Sequence, residues 1–213
     1  MMTLYFVRHG YSTGNRNKIF YGHYDGELDV LGHKQAECVA EYFRNIHLDC
    51  IFSSDLVRAY DTVEPLAQQK NMKIITDKRL REIFAGEWEN KSVEELFSGE
   101  YAKDYGVWKN DIARSRCTGG ESVSELRERV YGAVLDIAKN NDKKTVLIST
   151  HATPIRVLKS CFLGEDISKI NDYGWVPNAS VSKITYDNGN WNIEFFGESG
   201  HLASLVTTLD LLF

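Results

Sequence analysis

Thr3-Leu-Tyr-Phe-Val-Arg-His-Gly10 is an apolar run that ends abruptly in a guanidinium and an imidazole. Its first five residues have the composition of a short buried β-strand. A second run, Thr145-Val-Leu-Ile-Ser-Thr150, is followed at once by His151. Two strand ends that each deliver an imidazole, one with an arginine beside it, make a pocket for a phosphoryl group. In open α/β sheets the ligand crevice lies outside the carboxyl ends of the strands, so chemistry is expected where these runs stop.

Working outward, strand and helix patterns alternate. Residues 33–46 predict a helix with Ala36, Val39, Ala40 and Phe43 on one face. Residues 49–53 predict a second strand, and Ser54 reads as the N-cap of the helix that follows. Pro65 inside that helical pattern predicts a kink or a break. Residues 73–76 predict a third strand. The stretch from 82 to 121 is irregular, with one short helix near 93–97. Residues 122–138 predict a long amphipathic helix through Val123, Leu126, Val130, Val134 and Ile137. Thr153-Pro154 reads as a cap followed by proline at the first helical position, and Gly164 as the closing glycine. Residues 181–186 and 191–196, joined across Asn188-Gly189, predict a β-hairpin. Strands separated by helices predict a single α/β domain over 1–213. Its mainly parallel mixed sheet carries helices on both faces.

The chain has 213 residues, 43% of them hydrophobic, which suffices for one sizeable core. Its formal charge of -5 gives no general attraction for nucleic acid or anionic membrane. A cationic pocket on such a chain points to local recognition of a small anion. Cys38, Cys50, Cys117 and Cys161 show no CxxC spacing, and the histidines and carboxylates show no metal-ligand spacing, so no metal is expected. With a strand beginning at Thr3 and no apolar stretch of bilayer length, reduced cysteines in a cytoplasmic protein are expected.

Tyr11-Ser-Thr-Gly-Asn15 follows His9 and supplies hydroxyls, a flexible glycine and an amide suited to phosphate oxygens. Arg58 lies early in the helix after Ser54. It reads either as a surface ion pair with Asp55 or Asp61, or as a bidentate phosphate clamp at a helix start. His151 precedes another helix start. Glu82, Glu87 and Glu89 crowd one loop, and spacing does not choose among them. Trp88, Trp108, Trp175 and Trp191 read as packing residues, with Trp88 and Trp108 the two placed to line a substrate.

Taken together, these pieces resemble the histidine phosphatase superfamily, the phosphoglycerate-mutase-like group. The matching text is Val7-Arg-His-Gly10 with Asn15, the run from Leu28 to Ala36, and Ser53-Ser-Asp-Leu-Val-Arg-Ala59 with Thr62. It continues through Leu80-Arg-Glu82 with Gly86 and Trp88-Glu89, then Gly120-Glu-Ser122 and Ser149-Thr-His151 with Ile155-Arg156. Asn178-Ala-Ser180 and His201-Leu202 close it. The resemblance implies that His9 is the nucleophile that forms a phosphohistidine, and that Glu82 is the general acid and then base. It implies that Arg8, Arg58 and His151 hold the phosphoryl oxygens. Asn15, Ser12, Gly22 and Ala152 would be further phosphate contacts. No cofactor is implied. Tyr11-Ser12 stands where Glu or Gln followed by Thr is usual, and Ala152-Thr153 where Gly-Gly is common, which bears on substrate preference.

The activity implied is hydrolysis of a small phosphomonoester. A cofactor-dependent phosphoglycerate mutase is the first alternative, kept open by Arg114 and Arg116. A non-catalytic phosphate-binding module is the second. A lid-like insertion over about 84–120, centred on the aromatic and basic residues of 100–117, is expected to select the substrate. The sequence specifies no oligomeric state.

Overall fold

The computed structural model describes residues 1–207. In chain order the elements are β1 (Met2–Arg8), α1 (Thr13–Asn17), β2 (Ile19–Phe20), α2 (Val30–Tyr42), β3 (Cys50–Ser53), α3 (Val57–Gln69) and β4 (Ile74–Thr76). There follow β5 (Lys91–Ser92), α4 (Val93–Ser98), α5 (Ala102–Asn110), α6 (Val123–Asn140), β6 (Thr145–Thr150), α7 (Ala152–Leu163), β7 (Val181–Asp187) and β8 (Asn190–Glu198). The main sheet has the order β4-β3-β6-β1-β7-β8. β4, β3, β6 and β1 run parallel, β7 adds antiparallel to β1, and β8 adds antiparallel to β7. This is the expected mixed α/β sheet.

Strand alternation sorts the core into two layers, because successive side chains point to opposite faces. Met2, Leu4 and Phe6 of β1, with Val146 and Ile148 of β6, pack with the apolar stripes of α6 and α7. Tyr5, Val7 and Leu147 face the other way, into a core shared with Val39 of α2 and Val63 and Leu66 of α3. Both faces of the central strands are therefore buried, which is why their sequence reads as a continuous apolar run.

Register brings the strand ends together. Arg8 pairs with Thr150, and Ser53 with Ser149, so β1, β6 and β3 finish side by side. The backbone N–H of His9 donates to Thr150 O at 2.9 Å, and that of Ser54 to Ser149 O at 2.9 Å.

Several boundaries differ from expectation for local reasons. α2 starts at Val30 because Asp29 accepts from Leu31 N and caps it. α3 has no side-chain cap. Its N-cap is Leu56, and the Ser54 hydroxyl instead accepts from Leu56 N and pairs with His151. Pro65 does not end α3, which runs on to Gln69 with the proline inside it. α7 begins at Ala152 with His151 as its N-cap, so Pro154 sits at the third helical position. α5 forms within the stretch whose sequence reads as irregular. Ser122, by contrast, caps α6 in a full capping box with Glu125. Gly164 closes α7 in the left-handed conformation. Asn188 and Gly189 turn the hairpin with φ of 50° and 88°, the geometry of a type I′ turn.

All four cysteines are unpaired, Cys117 and Cys161 buried, Cys38 and Cys50 half-buried. Among the described residues no helix is long and apolar enough to cross a membrane, and no group of three or more His, Cys, Asp or Glu is placed to hold a metal.

Candidate active site

A recess of about 510 Å³ opens at the carboxyl ends of β1, β6 and β3. It is lined by Arg8, His9, Ser12, Asn15, Gly22, Arg58, Glu82 and Ala152, with Thr153 and an aromatic wall beyond. The side chains come from separate parts of the chain. β1 delivers Arg8 and His9, α3 delivers Arg58 from its first turn, and the loop after β4 delivers Glu82.

His9 is buried, and its Nδ1–H donates to Gly10 O at 2.7 Å. That bond fixes the tautomer and leaves Nε2 unprotonated toward the recess. Burial first, then the positive charges of Arg58 and Arg8, push the His9 pKa well below its usual value. The ring is therefore neutral at physiological pH.

His151 stands one layer deeper, fully buried and outside the recess wall. Its ring centroid is 5.2 Å from that of His9. Its Nε2 pairs with Ser54 Oγ at 2.9 Å, while Nδ1 is buried without a partner among the described residues. Burial and then Arg58 hold its pKa well below the ordinary histidine value too.

The two arginines are buried charges held by backbone carbonyls. Arg8 Nη1 donates to Val176 O at 2.5 Å. Arg58 donates to Tyr24 O at 2.9 Å and to Gly22 O at 2.8 Å. Burial lowers the Arg8 pKa to about 9 and the Arg58 pKa to about 10, with Glu82 opposing both shifts. Two desolvated guanidiniums facing one recess create a strong demand for an anion. Gly22 is required where it stands. Its φ is +54°, and a Cβ there would meet Ala85 Cβ at 2.5 Å.

Of the three glutamates, Glu82 lines the recess and Glu87 and Glu89 do not. Glu82 Oε1 accepts from Ile83 N at 2.8 Å and its Oε2 from Thr153 N at 3.3 Å. Burial, the largest influence, raises its pKa. Glu89 instead accepts from His23 N and Ala85 N, and Glu87 from the Tyr101 hydroxyl.

The loop after His9 contributes less directly than its composition suggests. Tyr11 and Thr13 do not line the recess. The Ser12 hydroxyl is engaged with Asn15 in a capping box at the start of α1. Asn178 ties the loop down, donating to His9 O, Gly10 O and Asn15 Oδ1 at 3.1–3.3 Å.

The aromatic wall corrects one expectation. Trp88 is fully buried, donates to Thr118 Oγ1, and packs edge-on against Phe20, Tyr105 and Trp108. It is core. Trp108 does line the recess, together with Trp175, Phe20, Ile19 and Tyr21. Trp175 had only its composition to recommend it, since no periodic pattern surrounds it. The Arg114 and Arg116 side chains are not in the wall. Arg114 is exposed beside Asp111, and Arg116 pairs with Glu125 and Gly120 O.

A fold with this strand order and two imidazoles at adjoining strand ends defines a phosphate-handling α/β domain. The family model of the histidine phosphatase superfamily (branch 1) matches residues 4–199, and the chain belongs to that family. It is 35% identical over 184 residues to phosphoserine phosphatase 1 of Hydrogenobacter thermophilus, covering 86% of each chain. It is 30% identical over 217 residues to the Salmonella choleraesuis protein named "Probable phosphoglycerate mutase GpmB", covering 95% of each. The solved mycobacterial glucosyl-3-phosphoglycerate phosphatase Rv2419c, in complex with VO3, superposes with a TM-score of 0.84 at 26% identity. That alignment covers 92% of this chain and 99% of the other.

Proposed function

We propose that the protein is a phosphomonoester hydrolase that works through a phosphohistidine on a small phosphorylated metabolite. The observation that carries this is the His9 Nδ1–H···O Gly10 bond, which points a neutral Nε2 into a recess walled by two buried guanidiniums. In the first half-reaction Nε2 attacks phosphorus, the P–O bond to the leaving group breaks, and Glu82 gives its proton to the departing oxygen. In the second, Glu82 takes a proton from water, the oxygen attacks phosphorus, and inorganic phosphate leaves neutral His9 behind. Splitting one displacement into two lowers each barrier.

Arg8 and Arg58 hold the phosphoryl oxygens and offset their growing charge, the main demand of phosphoryl transfer. His151 backs that cradle from behind the lining, its ring centroid 5.2 Å from that of His9. Ser54 Oγ accepts from Leu56 N and can donate its proton to His151 Nε2, which puts the imidazole proton on the unpartnered Nδ1. These residues supply the positive charge of the site without a metal or cofactor. Residues 84–120 act as a lid-like wall, presenting Trp108 to the leaving group. The net charge and unpaired cysteines support a cytoplasmic enzyme without nucleic-acid partners.

The test is rapid quenching with ³²P-labelled substrate. Acid-labile label on wild type and none on His9→Ala is expected. Equal turnover by the two proteins sinks the reading and leaves a binding module. The mutase alternative rests on the name that several Salmonella relatives share. With Arg114 and Arg116 outside the recess, hydrolysis of 3-phosphoglycerate is expected to outrun its isomerisation.

A further inference from the structure

Behind the aromatic wall lies a second recess of about 400 Å³. It shares Trp108 and Trp175 with the phosphate pocket, so the two are neighbours across that pair. The two indoles stack at 6.5 Å with an interplanar angle of 28°. The side chain of interest in the second recess is Arg156, on α7. His151 caps that helix, so Arg156 lies about 7.5 Å further along its axis at 1.5 Å per residue.

Arg156 is half-buried, and its guanidinium sits 4.3 Å over the Trp175 ring. Its Nε donates to Ile170 O at 3.0 Å. Among the described residues its two terminal nitrogens have no hydrogen-bond partner, and no carboxylate lies within ion-pair distance. Of the other half-buried arginines, Arg81 is matched by Asp55 and Arg129 by Glu121, while Arg127 donates to Ser160 Oγ and Glu165 O. Burial alone lowers the Arg156 pKa to about 10. A guanidinium fork fixed by a ring on one face and a carbonyl at Nε is pre-oriented for a planar or tetrahedral anion. The Arg156 terminal nitrogens are not buried and face the second recess, where an anion can reach them.

We propose that Arg156 is a second anion subsite, and that preferred substrates are phosphomonoesters carrying a distal carboxylate or phosphate beyond an apolar or ring-shaped spacer. The spacer lies against Trp108 and Trp175. The distal anion meets the Arg156 terminal nitrogens while the scissile phosphate meets Arg8 and Arg58. This inference rests on the phosphatase reading above and adds the substrate class to it.

Matched pairs test it without any substitution. Phenyl phosphate against 4-carboxyphenyl phosphate adds a distal carboxylate across a ring. Fructose 6-phosphate against fructose 1,6-bisphosphate adds a distal phosphate. The expected result is that at least one anion-bearing member has kcat/KM tenfold or more above its partner. The pair that shows it identifies which anion fits. In Arg156→Ala that preference collapses toward unity, and Arg156→Lys retains part of it. If wild type hydrolyses both members of each pair alike, or if Arg156→Ala keeps the full preference, the subsite does not exist. If His9→Ala turns over all four substrates as fast as wild type, the phosphatase reading fails instead. The ratio within a pair separates recognition from general destabilisation, because misfolding lowers both members together.

Discussion

His23 and Arg129 converge on one atom, the carbonyl oxygen of Glu82. His23 Nε2 donates to it at 2.9 Å and Arg129 Nη2 at 3.0 Å. Arg129 also donates to Arg79 O and Arg81 O and grips Glu121 through both carboxylate oxygens at 2.7–2.8 Å. From the other side, Thr150 Oγ1 donates to Leu80 O at 2.7 Å. The loop carrying Glu82 is thus pinned to α6 and to the end of β6 by groups that do not line the recess.

On the proposed mechanism Arg129 is therefore a positioning residue. Arg129→Ala is expected to lower kcat by about ten- to a hundredfold through misplacement of the acid, with a smaller change in KM. Stability should fall by about 2 kcal/mol, because Glu121 and three carbonyls lose a shared donor. Steady-state kinetics beside urea unfolding checks both. A larger effect on KM than on kcat would contradict the positioning role.

The pH profile follows from two opposite shifts. Burial raises the Glu82 pKa, so its protonated form persists to higher pH than for an ordinary carboxylate. Burial and two guanidiniums lower the His9 pKa, so its neutral form persists to lower pH than for an ordinary histidine. The form competent for the first half-reaction, acid protonated and histidine neutral, is widened in both directions. The expected kcat/KM profile has its maximum on the acid side of neutrality and declines as Glu82 ionises. Glu82→Gln should remove the alkaline limb and cost about 10²–10⁴-fold with alkyl phosphates. The cost should be much smaller with p-nitrophenyl phosphate, whose leaving group needs no proton. Equal losses with both ester types would remove Glu82 from the acid's role.

Much of this site is legible in the sequence because strand ends are. Val7-Arg-His-Gly10 and Ser149-Thr-His151 stop at fixed places, and parallel register brings their ends together. What sequence leaves out is chosen by tertiary packing. Glu82, Glu87 and Glu89 differ only in which backbone N–H and hydroxyl groups the fold brings to them. α5 lacks a side-chain cap and carries Gly106 at its centre, so its only helical signature is the Tyr105 and Trp108 pair that it buries. Ser54 has the residue type of a cap, but the chain uses it to anchor His151. Pro65 stays inside α3 because Val63, Leu66 and Ala67 on either side of it are buried in the second core, and packing outweighs the missing N–H.

Thr62 links the nucleophile's loop to α3. Its Oγ1 accepts from Gly10 N at 2.8 Å and donates to Arg58 O at 2.7 Å, with the side chain fully buried. Thr62→Val keeps the shape but strands the Gly10 N–H in a dry site. A destabilisation of about 1–3 kcal/mol is expected from that orphaned donor, together with a drop in kcat as Gly10 O loosens its hold on His9 Nδ1. Thr62→Ser should restore most of both. If Thr62→Val unfolds at the wild-type urea midpoint, the Gly10 contact contributes nothing.

Buried neutral histidines make the fold sensitive to acid, and the sign can be worked through. His9 and His151 both have folded pKa values well below 6.5, so near pH 6 the unfolded chain binds protons that the folded chain refuses. Stability then falls as pH drops, at a limiting slope of about 1.4 kcal/mol per pH unit for each such histidine. His23 and His201, lowered less deeply by burial, add to the same slope. Glu82 works the other way, since its raised pKa lets the folded state take up a proton first. Acids with depressed pKa values, such as Asp49 and Asp77, titrate below this window. The net expectation is a steady loss of unfolding free energy from pH 7 to pH 5. His151→Gln retains a polar partner for Ser54 but cannot titrate, so its stability should decline with a slope shallower by about one proton's worth. Urea unfolding of both proteins at several pH values measures this directly. Parallel slopes would mean that His151 keeps an ordinary affinity for its proton in the folded state.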